Sequence, residues 1–176
     1  MLFVETKLAG AWLIDVERHD DERGFFARTW CRDELTRRGL RADLAQCSVS
    51  YNKKKGTLRG MHYQVAPRAE AKVVTCVRGV IYDVILDLRP ESPTFREWVA
   101  VELSEATLRL VYVPEGCAHG FQTLTADVVV QYFIAEAYSP EHTRGVRWDD
   151  PAFAIQWPPT GERFMSERDA RYPDHR

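Results

Sequence analysis

Short apolar runs alternate with turn residues along most of this chain, and their spacing predicts strands more than helices. The clearest runs are rich in Val, Ile, Tyr and Trp and cover residues 72–77, 80–88, 98–103, 108–113 and 128–138. Arg78-Gly79 and residues 104–107 are candidate turns between neighbouring runs. Because such short connections join antiparallel neighbours, the pattern predicts an all-β sandwich or barrel.

Helical patterns are few. Leu35 lies among charged residues near positions 32–38, and Gly39 can adopt the left-handed conformation that ends helices. A second short helix is expected near the C-terminus. No repeat, low-complexity tract or Gly/Ser linker divides the sequence, so residues 1–176 are predicted to form a single domain.

Composition narrows the possible partners and location. The 176 residues are 45% hydrophobic and carry a formal net charge of -2 without a basic run, which argues against a nucleic-acid partner. No apolar stretch is long enough to cross a membrane, since Gln131 interrupts the most apolar run. The four cysteines lack CxxC spacing and the N-terminus lacks a signal-peptide pattern, so a cytoplasmic location is expected.

Reactive residue types concentrate in the segment GTLRGMHYQ at residues 56–64. Gly56 and Gly60 bracket Arg59, and His62 follows closely. Glycine permits close approach to a ligand, arginine offers a fixed fork of donors for phosphate, and histidine exchanges protons near neutral pH. The segment is a candidate site; the alternative is a surface hairpin with a solvated arginine and a hydrogen-bonded histidine.

A second cluster, PEGCAHGF at residues 114–121, has the PxGxxH spacing of the second motif of cupin barrels. In metal cupins this histidine is a ligand, together with a His-x-His pair and an acidic residue from the preceding motif. Here that region carries a lone His62, and the remaining histidines lack ligand-like spacing, so no bound metal is expected. His119 either contacts a substrate or bonds a loop carbonyl.

Three more residues have both a functional and a structural interpretation. Lys72 shares a strand face with Val74 and Cys76, where an ammonium needs an acid or a ligand oxygen, unless it is an edge-strand lysine that reaches water. Tyr132 lies in an apolar run, where a core tyrosine bonded through its hydroxyl is the commoner case. Asp169 follows a serine in SERD, which could simply cap a short helix.

The chain resembles the dTDP-4-dehydrorhamnose 3,5-epimerase family over nearly its whole length. The matching segments are DERGFF at 21–26, residues 56–64, EAK at 70–72, residues 83–89 with SPT at 92–94, residues 114–121, WDDP at 148–151, WP at 157–158 and SERD at 166–169. The resemblance implies an all-β cupin jelly roll of antiparallel strands with a few short helices, forming a homodimer. It also implies an isomerase without metal or organic cofactor, which holds a nucleoside-diphospho-4-keto-6-deoxy sugar in the barrel mouth.

Carried over to the matching positions, the resemblance implies four catalytic residues. His62 would remove protons beside the keto group, with Asp169 supporting its imidazolium. Lys72 would stabilise the enolate oxygen, and Tyr132 would return a proton from the opposite face. The substrate contacts would be Arg23, Arg59, Gln46, His119 and Tyr138. Both arginines would meet the diphosphate.

Two positions near the nucleotide depart from the family pattern. Arg28 stands where an acidic residue is common, and Ser48 stands where asparagine is usual. An acidic side chain can accept a hydrogen bond from a base N–H whereas arginine cannot, so the nucleotide and the deoxysugar stay open. The alternatives are a single-carbon epimerase, a ketoisomerase, a non-catalytic sugar-binding cupin and a metal-dependent cupin enzyme.

Overall fold

Antiparallel strands make up most of the protein, which a computed structural model describes over residues 1–175. In chain order the elements are β1 (Leu2–Glu5), β2 (Trp12–Asp15), β3 (Arg18–Asp21), β4 (Gly24–Ala27), α1 (Arg32–Thr36), β5 (Gln46–Asn52), β6 (Leu58–Gln64), β7 (Lys72–Arg78), β8 (Val80–Asp87), β9 (Trp98–Ser104), β10 (Leu110–Val113), β11 (Cys117–Thr123), β12 (Val128–Ile134), β13 (Thr143–Gly145) and α2 (Glu167–Ala170).

The strands form two large sheets and a separate hairpin. One sheet has six strands in the order β1-β2-β10-β7-β12-β5, the other has five in the order β13-β6-β11-β8-β9, and β3 pairs with β4 alone. From β5 to β13 the chain crosses between the two large sheets at every connection except the one from β8 to β9, which are neighbours in the same sheet. This architecture confirms the predicted all-β cupin jelly roll with short helices.

Strict alternation of side chains places the core between the sheets. Val74 and Cys76 of β7 and Val130 of β12 pack in one buried cluster with Ile85 of β8 and Phe121 of β11, so both sheets contribute. The intervening residues point outward, where further apolar clusters cover the outer faces of the two sheets. The inward faces of β7 and β12 therefore lead directly into the interior.

Two predicted strands were too long, for different reasons. The run at residues 108–113 becomes a strand only from Leu110, because Leu108 has φ of 49° and still belongs to the turn. The run at residues 128–138 ends as a strand at Ile134. That residue pairs with Gln46 and Lys72, which are the first residues of both neighbouring strands, so the ladder has no partner beyond it.

The predicted turn and helices are present. Gly79 has φ of 79° between β7 and β8, and Gly39 has φ of 70° shortly after α1, in the left-handed region that glycine adopts without strain. Leu35 is the buried residue of α1. Over residues 1–175 the helices are all too short or too polar to cross a membrane.

A buried carboxylate organises the connection after β8. Asp87 accepts hydrogen bonds from Arg89 Nε at 2.8 Å, Arg89 Nη2 at 2.7 Å and Thr94 Oγ1 at 2.7 Å. Burial alone would raise the pKa of this carboxyl, but its donors hold the pKa of Asp87 well below the usual range. Arg89 Nη2 also donates to the carbonyl of Ala9 at 2.6 Å, so the carboxylate ties this loop to the N-terminal segment.

We expect Asp87→Asn to lower the free energy of unfolding at pH 7 by about 3 kcal/mol, because it leaves Arg89 without its buried partner. Folding lowers the pKa of Asp87 from its ordinary value of 3.8. The ionised carboxylate therefore stabilises the fold at pH values above 3.8, and this contribution is lost as the pH falls below 3.8. Urea unfolding from pH 7 to pH 3 should show the difference from wild type shrinking. The half-exposed pair of Asp15 and Arg109 provides the control, and Asp15→Asn should cost less than about 1 kcal/mol. Equal losses in the two variants would contradict this account.

Candidate active site

A cavity of about 660 Å³ lies between the two sheets, within the size range of small-molecule sites. Its walls come from β6 and β11 on one side, from β5, β7 and β12 on the other, and from the C-terminal segment. The polar and charged residues that line it are Ser48, Ser50, Thr57, Arg59, His62, Lys72, His119, Tyr132, Ser166, Arg168 and Asp169. All four residues predicted to be catalytic are in this set.

Strands β6 and β11 approach very closely beside the cavity. Gly60 has φ of 138°, and a Cβ added there would lie 2.5 Å from the Cα of Gly120, so neither a side chain nor an ordinary backbone conformation fits. The pairing register shifts at this point. The N–H of Gly60 donates to Asp169 Oδ2 at 3.3 Å, so the distorted strand takes part in holding the carboxylate.

His62 and Asp169 form a hydrogen-bonded pair, with 2.8 Å between Nε2 and Oδ1. Burial opposes ionisation of Asp169, but the hydrogen bond and charge of His62 and the N–H of Gly60 outweigh it and lower the pKa of the carboxyl. An ionised carboxylate can only accept, so the proton of a neutral imidazole is assigned to Nε2 and the free lone pair to Nδ1. Ser166 Oγ accepts from the backbone N–H of Asp169 at 3.1 Å, so this serine also caps α2 as the structural interpretation predicted.

Tyr132 enters the cavity from the other sheet. It lies on β12 in the same inward row as Val130, whereas His62 lies on β6, so imidazole and phenol line one cavity from different walls. Burial raises the pKa of Tyr132, an effect that the hydrogen bond to Ser50 and the charge of Arg59 only partly oppose. The phenol is therefore protonated at neutral pH and can donate.

Lys72 lies inside the six-stranded sheet and not at its edge. Strand β7 runs between β10 and β12, which rules out the edge-strand interpretation. Its side chain is 11% exposed, and Nζ lies 2.7 Å from the Glu70 carboxylate, whose side chain is 9% exposed. An acid thus offsets the ammonium charge, as the sequence pattern required, while the lysine still lines the cavity.

His119 lies directly across from His62 in the β6–β11 ladder and faces the same cavity. Its Nε2 is 2.8 Å from Oδ2 of Asp83, and both side chains are almost fully buried. The other carboxylate oxygen of Asp83 has no hydrogen-bond partner among the described residues. His119 bonds a side-chain carboxylate and not the loop carbonyl that its structural interpretation supposed.

Arg59 lies at the exposed side of the cavity, with Nε donating to Asn52 Oδ1 at 2.7 Å. Because β6 runs between β13 and β11, the segment at residues 56–64 is not the surface hairpin considered as an alternative. Among residues 1–175, no three His, Cys, Asp or Glu side chains converge as a metal-binding group would.

Three predicted substrate contacts lie outside the cavity wall. Gln46 belongs to the same cross-strand row as Lys72, and its Oε1 accepts from the backbone N–H of Tyr138 at 2.7 Å, so these two exposed residues lie at the rim. Arg23 is on the β3–β4 hairpin, where its 89% exposed side chain pairs with Asp21. The structure does not bring Arg23 to the cavity of its own chain.

The two positions that depart from the family pattern lie in different parts of the structure. Ser48 lines the cavity, whereas Arg28 is an exposed residue whose Nη1 lies 3.4 Å from Glu34 Oε1. A change at Ser48 therefore alters the wall of the site directly. Arg28, like Arg23, lies in the region of the hairpin.

Sequence reasoning missed several residues of the site: Ser50, Glu70, Asp83 and Arg168. Asp83 had the clearest signal, because it interrupts the apolar strand VIYDVILD and a buried carboxylate requires a partner. Glu70 lies two residues before Lys72. Nothing in the sequence distinguishes Ser50 or Arg168 from ordinary surface residues.

Comparisons with known proteins agree over nearly the whole chain. The sequence model of the family described as dTDP-4-dehydrorhamnose 3,5-epimerase matches residues 5–176. The chain belongs to this family. It is 39% identical over 173 residues to a dTDP-4-dehydrorhamnose 3,5-epimerase of Sinorhizobium fredii, covering 98% of this chain and 89% of that protein.

The relatives include enzymes whose names give two epimerised carbons and one whose name gives a single epimerised carbon. A crystal structure of a dTDP-4-dehydrorhamnose 3,5-epimerase from Bacillus anthracis, with TDP and PPi bound, matches with a TM-score of 0.94 and 39% identity over 99% of both chains. A dTDP-4-dehydrorhamnose 3-epimerase of Streptomyces niveus is 39% identical over 165 residues, covering 92% of this chain and 78% of that protein. Similarity alone therefore does not fix the number of carbons.

Proposed function

We propose that this protein is an isomerase that epimerises a nucleoside-diphospho-4-keto-6-deoxy-hexose at C3 and C5, converting dTDP-4-dehydro-6-deoxyglucose to dTDP-4-dehydrorhamnose in deoxysugar biosynthesis. The observation that carries the proposal is the placement of the His62–Asp169 pair and Tyr132 on facing sheets around one cavity, with Lys72 beside them. Membership in the family supports the substrate class.

The first step is removal of a proton from the carbon next to the ketone. Nδ1 of His62 carries the free lone pair and takes this proton, while the electron pair of the C–H bond moves into the carbonyl to form an enolate. Asp169 keeps the ring oriented and stabilises the imidazolium that results, as a carboxylate partner does for a histidine base. No metal or organic cofactor takes part in the proposed reaction.

The negative charge of the enolate develops on the C4 oxygen. An ammonium inside a partly desolvated cavity stabilises such charge more strongly than it would in water. Lys72 is the cation on the inner wall of the cavity, and Glu70 holds it in place. We assign the enolate contact to Lys72.

Inversion requires the new proton to arrive on the opposite face from the base, because return on the same face would regenerate the substrate. Tyr132 donates from the facing sheet, and its raised pKa keeps the proton available. The resulting tyrosinate recovers a proton from solvent, and the imidazolium loses one. The same sequence at the second carbon completes the double epimerisation.

Substrate binding is assigned to residues at the cavity and around its mouth. Arg59 at the exposed side suits the diphosphate, and His119 suits a sugar or phosphate oxygen. Gln46 and Tyr138 at the rim extend the site toward the nucleotide. Arg23 does not line the cavity of its own chain. It would therefore contact the diphosphate only of a substrate bound in the cavity of another copy of the chain.

A homodimer is part of the proposal. Strand β5 is the last strand of the six-stranded sheet, and it presents Val49 at 70% and Tyr51 at 49% exposure. Val49 adjoins the cavity at its edge, together with Ser48 and Ser50. A second copy on this strand would bury apolar surface right beside the site. The expected cytoplasmic location belongs to the same proposal.

Replacement of His62 tests the base. We expect His62→Asn to reduce turnover of dTDP-4-dehydro-6-deoxyglucose in heavy water by a factor on the order of 10³ or more, with the fold retained by circular dichroism. His19→Asn, on the exposed β3 strand, is the control and should keep full activity. Persistent turnover in His62→Asn would remove the mechanism.

The pattern of deuterium in the wild-type product separates the alternatives. Label at both C3 and C5 supports double epimerisation, whereas label at one carbon identifies a single-carbon epimerase or a ketoisomerase. Binding without any exchange identifies a sugar-binding cupin, and stoichiometric Fe, Mn or Zn in active protein revives the metal-dependent alternative.

Replacement of Tyr132 tests the division between base and acid. We expect Tyr132→Phe to lower epimerised product about 100-fold or more while proton exchange falls much less, because the base can still act without the opposing acid. Tyr63→Phe, on the outer face of β6, should change neither rate. Equal loss of epimerisation and exchange in Tyr132→Phe would argue against the assignment.

Light scattering after size exclusion tests the dimer. We expect Val49→Lys to convert the protein to a monomer, because a lysine at this position places an unpaired charge in the interface. Val4→Lys makes the same change on β1, at the opposite edge of the sheet, and should leave the dimer intact. A wild-type monomer, or dissociation by Val4→Lys alone, would contradict an interface at β5.

A further inference from the structure

The position on β13 directly across from His62 is a glycine and has no side chain. Gly145 is the register partner of His62 in the β13–β6 pair, and β13 is the edge strand of the five-stranded sheet. Gly145 is not among the residues with positive φ, so its backbone does not demand glycine. The explanation for glycine here must therefore lie in the space above it.

The ring of Tyr172 fills this space. A Cβ added to Gly145 would lie 2.2 Å from Cζ and 2.4 Å from Cε2 of that tyrosine, far inside van der Waals contact. An aromatic residue from the C-terminal segment thus occupies the place of a cross-strand neighbour of His62, as aromatic rings do when they cover glycines in edge strands. On the other side of His62, the neighbour across the ladder is His119.

Tyr172 makes an edge contact with the imidazole of His62. The ring centroids are 6.2 Å apart with an interplanar angle of 67°, which is a favourable geometry for two aromatic rings. Its hydroxyl accepts a hydrogen bond from Arg168 Nε at 2.7 Å, so the phenol is held at its far end as well. The Tyr172 side chain is therefore held twice, by the contact of its ring with His62 and by the bond of its hydroxyl to Arg168.

The chain after Tyr172 is attached to the same side of the molecule. Asp174 pairs with Arg147 at 2.6 Å, and the backbone N–H of His175 donates to the buried carboxylate of Asp150 at 2.6 Å. These contacts hold the C-terminal segment against the region that follows β13. A ring held this way can restrict the motion of its neighbour.

We infer that Tyr172 is a positioning residue whose ring, seated on Gly145, holds the His62 imidazole in the orientation that aims Nδ1 into the cavity. The bond to Asp169 fixes only one ring nitrogen and leaves the imidazole able to tilt about that bond. The edge contact with Tyr172 removes this freedom, and small misplacements of a base cost large factors in rate. The inference rests on the proposed role of His62 as the base.

The first test separates positioning from a structural role by steady-state kinetics. We expect Tyr172→Ala to lower kcat about tenfold or more, with little change in KM, because the substrate still binds while the base is misaligned. Tyr172→Phe keeps the ring and should restore kcat to within about twofold of wild type. A merely structural tyrosine would lower the melting temperature of Tyr172→Ala and leave kcat unchanged at a temperature where the variant is folded.

The second test does not depend on activity. Long-range ¹H–¹⁵N spectra of the histidine rings report the tautomer of His62, whose signal is the one that disappears in His62→Asn. We expect one tautomer with the proton on Nε2 in all variants, because Asp169 still accepts from it. The His62 signals should be sharp in wild type and in Tyr172→Phe and broadened in Tyr172→Ala, where the ring samples more orientations. Gly145→Ala, which displaces the Tyr172 ring from its position over residue 145, should broaden the His62 signals in the same way.

The outcomes distinguish this inference from the proposed function. A wild-type protein that does not turn over the keto sugar defeats the proposed function, while the spectra still report whether Tyr172 orients His62. Unchanged His62 resonances together with wild-type kcat in Tyr172→Ala would overturn the inference. Loss of kcat in Tyr172→Phe as large as in Tyr172→Ala would also overturn it, because the ring would then not be the part that matters.

Discussion

The site depends on one hydrogen bond, between Nε2 of His62 and Oδ1 of Asp169. It joins β6, an interior strand of the five-stranded sheet, to a four-residue helix near the C-terminus, two parts of the chain separated by about a hundred residues. The bond offsets the cost of burying the Asp169 carboxylate and assigns the imidazole proton to one nitrogen. Without it, the last segment would lose its side-chain bond to His62, and the imidazole would lose its orientation.

The second constraint is the alternation of side chains on facing sheets. A jelly roll normally fills its interior with apolar residues, and most of this interior follows that rule. At one end, inward positions carry Lys72, Tyr132 and His119 instead, which opens a polar cavity within the same rows. Each of them has a partner that offsets its burial, including Glu70 for the lysine and Asp83 for the histidine.

The C-terminal segment contributes to the cavity in several ways. It supplies Asp169, caps its own short helix with Ser166, and places Tyr172 over Gly145 beside His62. Arg168 lines the cavity while bonding the same tyrosine. A stretch that looks like a polar tail in the sequence is therefore part of the wall of the site.

Sequence alone determined the class of fold, because the period of a strand is a local property of the chain. The family motifs also predicted which four residues would carry the chemistry, and these four line one cavity. It could not decide whether Lys72 was at an edge or in the interior, or whether Asp169 was only a helix cap. Those answers depend on strand order and on contacts between distant segments, which no local pattern encodes. The tertiary structure also separated Arg23 from the cavity and seated Tyr172 on Gly145, because both depend on how remote parts of the chain pack together.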